Sequence, residues 1–117
     1  MDWLSEIQWE VGEWNFKNFP NAEPWQMILG MQEELGELSH AYLKRSQNIR
    51  TDEDHDAEEV DAIGDLVIYI LAYCDSRGIH LPNTIRSVWA EVSERDWNKY
   101  PKSGGLPPRG ASDNQGK

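Results

Sequence analysis

The sequence predicts an all-α protein, an antiparallel bundle of four helices. Four segments carry apolar residues at alternating steps of three and four, which is the spacing of an amphipathic helix. The breaks between them are short and polar or contain proline, and there is little sign of strand. Because short links join antiparallel neighbours, a bundle is the expected arrangement.

The first two helices are separated by the segment NFPNAEP, which contains two prolines within five residues. The first helix is predicted from Asp2 to about Asn18. Its apolar stripe consists of Leu4, Ile7, Val11 and Trp14. The second helix is predicted from Pro24, a residue suited to a first turn, to about Ser46. Its apolar stripe consists of Ile28, Met31, Leu35, Leu38 and Tyr42.

The third helix is predicted from about Asp54 to Ser76, with Gly78 as the stop that follows it. Its second half, LVIYILAYC, is apolar all round, which predicts burial on every side. A chain this short offers little room for such a helix, so we expect an intersubunit helical interface to cover one side of it.

The fourth helix is predicted from about Leu81 to Asn98. Its apolar residues are Ile85, Val88, Trp89 and Val92. After Pro101 the chain is rich in Gly, Pro and Ser, which predicts a disordered tail over residues 102–117. The 117 residues therefore suit one domain, over residues 1–101.

The chain is acidic, with a net charge of −10 and a pI near 4.6. This balance argues against general nucleic-acid binding and against an anionic membrane surface. Cys74 is the single cysteine, which excludes an internal disulfide and a multi-cysteine metal site. The first residues do not resemble a signal peptide, and the longest apolar run, Leu66 to Cys74, is too short to span a bilayer. A cytoplasmic protein is expected.

Carboxylates are concentrated on the second and third helices. At about 100° per residue, Glu34 and Glu37 share a face beside the core stripe, whereas Glu33 points further outwards. On the third helix, Asp61 and Asp65 belong to one stripe that begins at Glu58, and Asp65 adjoins the apolar run.

Like charges crowded beside a core are unfavourable without a cation, and a hard divalent ion prefers oxygen ligands. We therefore predict that Mg²⁺, or Mn²⁺ in its place, is held by the carboxylates of Glu34, Glu37, Asp61 and Asp65. The remaining acids are interpreted as solvated helix-face residues: Glu33, Glu53, Glu58 and Glu59.

A di-iron site is an alternative, because Glu37 and His40 have the Glu-x-x-His spacing of di-iron bundles. Such sites need a second motif of this kind. The same spacing recurs from Asp52 to His55, but in a predicted loop, and the third helix supplies no such motif. The di-iron alternative is therefore not favoured.

The segments EELGEL and DAIGDLVIYI together resemble the MazG-like all-α nucleoside triphosphate pyrophosphohydrolases, which carry Glu-Glu-x-x-Glu on one helix and Glu-x-x-Asp on the next. The resemblance covers residues 4–101. It implies hydrolysis between the α- and β-phosphates of a nucleoside triphosphate, giving monophosphate and pyrophosphate. The second motif departs at Ala62, which cannot bind a metal, and we expect Asp61 to replace the missing glutamate.

The resemblance also implies roles for individual residues. Glu34 is expected to be a catalytic residue that binds the metal. Glu33 is expected to orient or deprotonate the attacking water. The substrate-binding candidates are Arg95, Lys99 and Lys44 for the phosphates. For the base the sequence itself offers Trp25, with Trp14, Phe16 and Trp97 as alternatives. The cations have an alternative role, because basic residues near a helix C-terminus also stabilise the helix dipole.

Assembly and substrate remain partly open at this level. Sites of this family are often completed across a subunit interface, so a homodimer or a dimer of dimers is expected. A non-catalytic helical interaction module, in which Ala62 marks a lapsed site, is the competing function. Neither the base nor the sugar of the nucleotide is indicated by the sequence.

Overall fold

In the computed structural model, residues 1–108 are described, and they contain four α-helices and no β-strand. The helices are α1 (Trp3–Asn18), α2 (Pro24–Gln47), α3 (His55–Ser76) and α4 (Leu81–Val92). The predicted all-α class is confirmed, and the predicted bounds of the first three helices agree closely with those observed. Residues 109–117 of the predicted tail lie outside the described residues.

The chain divides into two compact units, the first over Met1–Leu81 and the second from Pro82 onwards. The first unit holds α1, α2 and α3, with α3 packed against both of the others. The second unit holds nearly all of α4 and the turns that follow it. A single four-helix domain over residues 1–101 therefore stays a prediction.

Side-chain caps fix where the helices of the first unit begin. The carboxylate of Asp2 accepts a hydrogen bond from the Ser5 backbone N–H at 2.9 Å, and that of Asp54 accepts one from Ala57 at 3.0 Å. Glu23 and Gln26 form a reciprocal capping box around Pro24. Each cap satisfies amide groups that would otherwise lack a partner, so these polar residues define the helix boundaries.

Helices α2 and α3 are antiparallel, as their paired residues show. The ring of Tyr69 lies against Gly30, and the Arg45 guanidinium donates to Asp56 Oδ1 at 2.6 Å. Residue numbers thus rise along α2 as they fall along α3. A Cβ on Gly30 would lie less than 3.0 Å from the Tyr69 ring, so glycine is needed for this close approach.

The face of α2 that is buried differs from the predicted stripe. Met27, Gly30 and Ala41 are buried, whereas three residues of the predicted stripe are largely exposed: Ile28, Leu35 and Tyr42. The prediction was wrong because small residues allow α3 to approach, and hydrophobicity alone does not reveal this. Residues at 27, 30, 34 and 41 follow helical spacing, so Glu34 lies on the packed face rather than on its flank.

Helix α3 is not buried on every side within this single chain, so the predicted burial of its second half depends on the subunit interface. In its apolar second half Leu71, Ala72 and Cys74 are buried, whereas Val67 and Ile68 have exposed fractions of 40% and 45%. The one chain has too few helices to surround α3. The intersubunit interface stays a prediction. The exposed apolar residues of α3 are the surface that such an interface would bury.

Helix α4 ends at Val92, well before the predicted Asn98. The amides of Glu94 and Arg95 donate to carbonyls only three residues earlier, a tightening typical of a helix end. Asp96 then caps the next turn, because its carboxylate accepts from the Asn98 and Lys99 amides at 3.1 and 3.0 Å.

Residues 102–106, within the predicted tail, form turns, and the backbone of Gly105 closes them onto the segment that follows α4. Its carbonyl accepts from Asp96 at 2.7 Å and its amide donates to Tyr100 at 2.8 Å. No helix among residues 1–108 is long and apolar enough to cross a membrane. The cytoplasmic location stays a prediction.

Candidate functional site

The first unit contains a cavity of about 870 Å³ between the end of α1, the turn that follows it, the start of α2 and the middle of α3. One part of its wall is acidic and another is aromatic and rich in side-chain amides. The lining residues that carry these properties are Trp14, Asn15, Asn18, Phe19, Asn21, Gln26, Glu34, Asp65 and Tyr69.

Glu34 and Asp65 form the acidic part, and both are half-buried. The pKa of Glu34 is raised, first by burial, then by the negative charges of Asp65 and Glu37, and then by those of Asp61 and Glu33. The four other carboxylates that the sequence singled out thus all act on Glu34 through space. Uncompensated negative charge accumulates here, which is the electrostatic condition for binding a cation.

The helix register explains why Glu34 and Asp65 share this cavity. Glu34 lies one turn after Gly30 on α2, and Asp65 lies one turn before Tyr69 on α3. Because the two helices are antiparallel and touch at Gly30 and Tyr69, the next turn brings the two carboxylates to the same level.

The four predicted metal ligands differ in placement. Glu34 and Asp65 line the cavity, whereas Glu37 and Asp61 are exposed beside it. Within residues 1–108, these four do not form a group whose ligand atoms all lie within 4.8 Å of one another. Carboxylates without a cation between them repel one another, so their side chains are most stable apart.

Ala62, at the position of the missing glutamate, is buried with an exposed fraction of 3%. Its neighbour Asp61 is exposed and acts on the charge of Glu34. A glutamate at residue 62 would start inside the packed surface of α3, where the alanine methyl group now lies. The expectation that Asp61 supplies this ligand stays a prediction.

The aromatic wall combines Trp14, Phe19 and Tyr69. The Trp14 and Phe19 rings meet edge to face, with centroids 5.8 Å apart and planes at 74°. Both rings keep an exposed fraction of 55%. Exposed aromatic faces beside a cavity can stack on a planar ligand.

Side-chain amides surround those rings. The Asn18 amide donates to the Trp14 carbonyl at 2.8 Å, and the Gln26 carbonyl oxygen accepts from the Glu23 amide at 2.7 Å. Sequence reasoning considered Trp14 but missed the amides and Phe19. The available signal was NFPN, a turn dense in amide and aromatic residues directly after α1.

Several predicted substrate-binding residues lie away from this cavity. Trp25 is 58% exposed on the first turn of α2 and does not line the described part of the cavity. Lys44 lines a smaller cavity of about 230 Å³ at the α2–α3 loop. Arg45, beside it, forms ion pairs with Asp56 and Glu59.

Arg95 and Lys99 follow the end of α4, so the predicted helical i, i+4 pairing of these two side chains is wrong. Their turn is held by Asp96, whose carboxylate competes with continuation of the helix. The ammonium of Lys99 lies 5.4 Å from the centroid of the Tyr100 ring. Their proposed contact with phosphate stays a prediction.

A second cluster lies where the α2–α3 loop enters α3. The ligand atoms of Glu53, His55 and Glu58 all lie within 4.8 Å of one another. His55 is buried, and its Nδ1 is 3.3 Å from Glu58 Oε1. The interpretation of Glu58 and Glu59 as merely solvated acids was wrong, because Glu58 faces His55 and Glu59 pairs with Arg45.

The outward side of α2 carries a shallow depression of about 470 Å³ lined by Glu33, Gly36, Glu37 and His40. Glu33 is exposed there, as its helical position predicts. His40 is half-buried and shares this surface with Glu37.

Comparison of the chain with protein-family models, with curated proteins and with solved structures finds no match.

Proposed function

We propose that this protein is a Mg²⁺-dependent nucleoside triphosphate pyrophosphohydrolase of the MazG-like type, which hydrolyses the α–β phosphoanhydride to give a monophosphate and pyrophosphate. One observation carries the proposal. The paired carboxylates of Glu34 and Asp65 line the same 870 Å³ cavity as three aromatic rings and several side-chain amides. A nucleotide has the complementary parts, an anionic chain that needs a cation and a planar base with polar edges.

The donor set fits a hard divalent cation. Glu34, Glu37, Asp61 and Asp65 offer only oxygen ligands, which Mg²⁺ and Mn²⁺ accept in protein sites. The pKa of Glu34 is raised by burial and by the other carboxylates, so bound positive charge relieves a repulsion that is already present. A bound Mg²⁺ supplies neutralisation of the phosphate oxygens and activation of water.

The chain's own residues supply position and proton transfer. Glu34 and Asp65 hold the cation at the cavity wall, and Glu37 and Asp61 complete the set from the exposed side. Glu33 is exposed next to Glu34, where its carboxylate orients the attacking water and accepts its proton. Lys44, Arg95 and Lys99 are retained as phosphate-binding candidates, and the exposed Trp25 as a candidate for contact with the base.

The base is held by the aromatic wall. Trp14 and Phe19 present ring faces, and Asn15, Asn21 and Gln26 can hydrogen-bond the edges of a base. Stacking tolerates every base, whereas amides discriminate among base edges. Selectivity among nucleotides is therefore assigned to the amide side chains.

The assembly that we propose is a homodimer or a dimer of dimers. Every residue of α4 is at least partly exposed in the single chain, including the apolar Val88 and Trp89 at 53% and 63%. Apolar stripes are also exposed on α2 and α3. Exposed apolar surface of this extent is typical of an interface.

The deciding experiment is a panel of ribo- and deoxyribonucleoside triphosphates, including modified bases, incubated with the full-length protein and Mg²⁺ or Mn²⁺. The expected products are monophosphate and pyrophosphate, resolved by ion-exchange chromatography or ³¹P NMR. Asp65→Asn is expected to abolish turnover, whereas Glu13→Gln, an exposed acid on α1, is expected to retain it. A folded wild-type protein that turns over no member of the panel contradicts the proposal.

The second candidate is a non-catalytic interaction module, which the alanine at position 62 favours. The interaction module, unlike the enzyme, is expected not to bind Mg²⁺. Calorimetric titration with Mg²⁺ is expected to give binding to the wild-type protein and none to Asp65→Asn if the enzyme proposal holds. Absence of Mg²⁺ binding to both, together with a higher melting temperature for Asp65→Asn, supports the module.

A further inference from the structure

The His55 side chain has an unsatisfied nitrogen in a buried position. The residue is 8% exposed, and its Nδ1 is the one buried side-chain N or O atom among residues 1–108 that has no hydrogen-bond partner. Buried polar atoms nearly always have a partner, so one that lacks it points to a missing ligand or proton.

The hydrogen bond of the other ring nitrogen fixes the tautomer of a neutral His55 ring. Nε2 lies 3.1 Å from the Ile49 carbonyl oxygen, which accepts a hydrogen bond and can only do so from a protonated Nε2. In the neutral ring, Nδ1 then carries the lone pair. A second-nitrogen hydrogen bond to a backbone carbonyl is the usual support of a metal-binding histidine.

That lone pair faces the carboxylate of Glu58, and the carboxylate of Glu53 lies nearby. Glu58 Oε1 lies 3.3 Å from Nδ1, and the ligand atoms of Glu53, His55 and Glu58 lie within 4.8 Å of one another. A lone pair opposite a carboxylate is repulsive, and only a proton or a metal ion between them makes the contact favourable. Three donors at this separation can share one ion, since zinc binds nitrogen and carboxylate oxygen at about 2.0–2.2 Å.

The neighbouring charges leave these two carboxylates available. Arg45, which lines the same small cavity as Glu53 and His55, is held by Asp56 and Glu59. Helix α3 begins at His55, and the dipole of a helix N-terminus opposes a cation by a small amount. Two carboxylates outweigh that partial charge.

We propose that Glu53, His55 and Glu58 form a binding site for a borderline transition-metal cation, Zn²⁺ above all, separate from the oxygen-only site around Glu34 and Asp65. Imidazole favours zinc over magnesium, whereas an all-carboxylate set favours magnesium. The chain thus offers two sites of different chemistry. The bound ion joins the loop before α3 to the first turn of that helix.

The loop that this ion would hold has backbone strain. Arg50 has a φ of 51°, in the left-handed region that most side chains disfavour, whereas Asn48, at 56°, is the C-cap of α2, a position that suits asparagine. Both lie between α2 and Glu53. An ion that binds the folded chain and not the unfolded chain stabilises the fold, so loading is expected to raise the melting temperature.

The test is calorimetric titration of Zn²⁺ into the full-length, chelator-treated protein with saturating Mg²⁺ present, so that oxygen-only sites are occupied. One equivalent of Zn²⁺ is expected to bind. Glu58→Gln and His55→Ala are expected to weaken binding by at least about tenfold, since even the loss of a group that only supports a ligand costs 10–100-fold. Asp52→Asn, an exposed acid in the same loop, is the matched control and is expected to bind as the wild type does.

Glu58→Gln keeps the test decisive if His55→Ala does not fold, because the Glu58 side chain is 40% exposed and its replacement is nearly isosteric. Circular dichroism checks the fold of each variant. The ¹⁵N shift of His55 Nδ1 is expected to move on addition of Zn²⁺. Absence of Zn²⁺ binding under saturating Mg²⁺, equal binding by Glu58→Gln, or an Nδ1 that stays protonated as an imidazolium paired with Glu58 overturns the proposal.

Discussion

The ring of Tyr69 fills the space beside Gly30 that a side chain at residue 30 would need. This contact brings α2 and α3 close together one turn away from Glu34 and Asp65. The two carboxylates therefore meet at the wall of the cavity because a glycine and a tyrosine meet behind them.

Gly30→Ala is expected to lower the free energy of unfolding. The new Cβ would lie less than 3.0 Å from the Tyr69 ring, and overpacking of this kind costs about 1–3 kcal/mol. That cost exceeds the roughly 1 kcal/mol that alanine gains over glycine in a helix. Urea denaturation measures the difference.

Gly36→Ala is the matched control on the same helix, because no atom lies within 4 Å of its added Cβ. It is expected to stabilise the protein by about 0.5–1 kcal/mol. Equal stabilisation by both substitutions would show that Gly30 is not required for the approach of α3.

Glu34→Gln is expected to raise the melting temperature of the metal-free protein at neutral pH. The pKa of Glu34 is raised from its ordinary 4.5 by burial and then by Asp65, so ionisation at pH 7 works against folding. The stability conferred by its protonated form is complete below pH 4.5 and is lost as pH rises through the raised pKa of the folded state.

Melting curves from pH 4.5 to pH 8 measure this effect. The advantage of Glu34→Gln over wild type is expected to grow as pH rises and to shrink towards pH 4.5. Glu13→Gln, on the exposed face of α1, is the control and is expected to show no such trend. Addition of Mg²⁺ is expected to stabilise the wild type and not Glu34→Gln.

Trp14→Ala is expected to reduce kcat/KM for the preferred nucleotide by about one order of magnitude or more. Stacking of a base on an aromatic ring contributes about 1–3 kcal/mol, and Trp14 lines the cavity with half of its surface exposed. Steady-state kinetics with the best substrate of the panel measures the change.

Trp3→Ala is the control for that experiment. Trp3 is 72% exposed at the start of α1 and does not line the described cavity. Its substitution is expected to leave kcat/KM unchanged. If both variants lose activity equally, the effect of Trp14 comes from general destabilisation and the assignment of the aromatic wall to the base fails.

Gln8→Ala is expected to lower the free energy of unfolding by about 1–3 kcal/mol. The buried Gln8 amide donates to the Ile79 carbonyl at 2.7 Å and its oxygen accepts from the Leu81 amide at 2.8 Å. Removal of the side chain leaves both backbone groups without this partner, which is costly for partly buried groups. Gln32→Ala, exposed on α2, is expected to change stability by less than about 0.5 kcal/mol.

Val88→Glu combined with Trp89→Lys is expected to convert the proposed homodimer or tetramer to a smaller species. Both side chains are more than half exposed on the apolar face of α4, and charges there oppose burial against a second copy. Sedimentation equilibrium measures the mass. Ser87→Lys, on the polar face of α4, is expected to leave it unchanged, and a wild-type protein that is already monomeric contradicts the proposal.

The apolar stripe predicted for α2 shows how much of this helix the sequence could predict. The starts of α1, α2 and α3 were predictable, because Asp2, Glu23 and Asp54 cap these helices through local hydrogen bonds. The buried face was not predictable from hydrophobicity, since Ile28 and Leu35 are exposed whereas Gly30 is buried. Which face packs depends on the partner helix and on how closely it can approach.

The sequence by itself determined the all-α class, the starts of the helices, and the acids Glu34 and Asp65 as a site candidate. These follow from periodicity, capping and charge, which act over a few residues. Only the tertiary structure decided that Glu34 faces a cavity with Trp14 and Phe19 and that Nδ1 of His55 is buried without a partner. Both depend on contacts between helices, which are governed by side-chain volume and register and leave no local pattern in the chain.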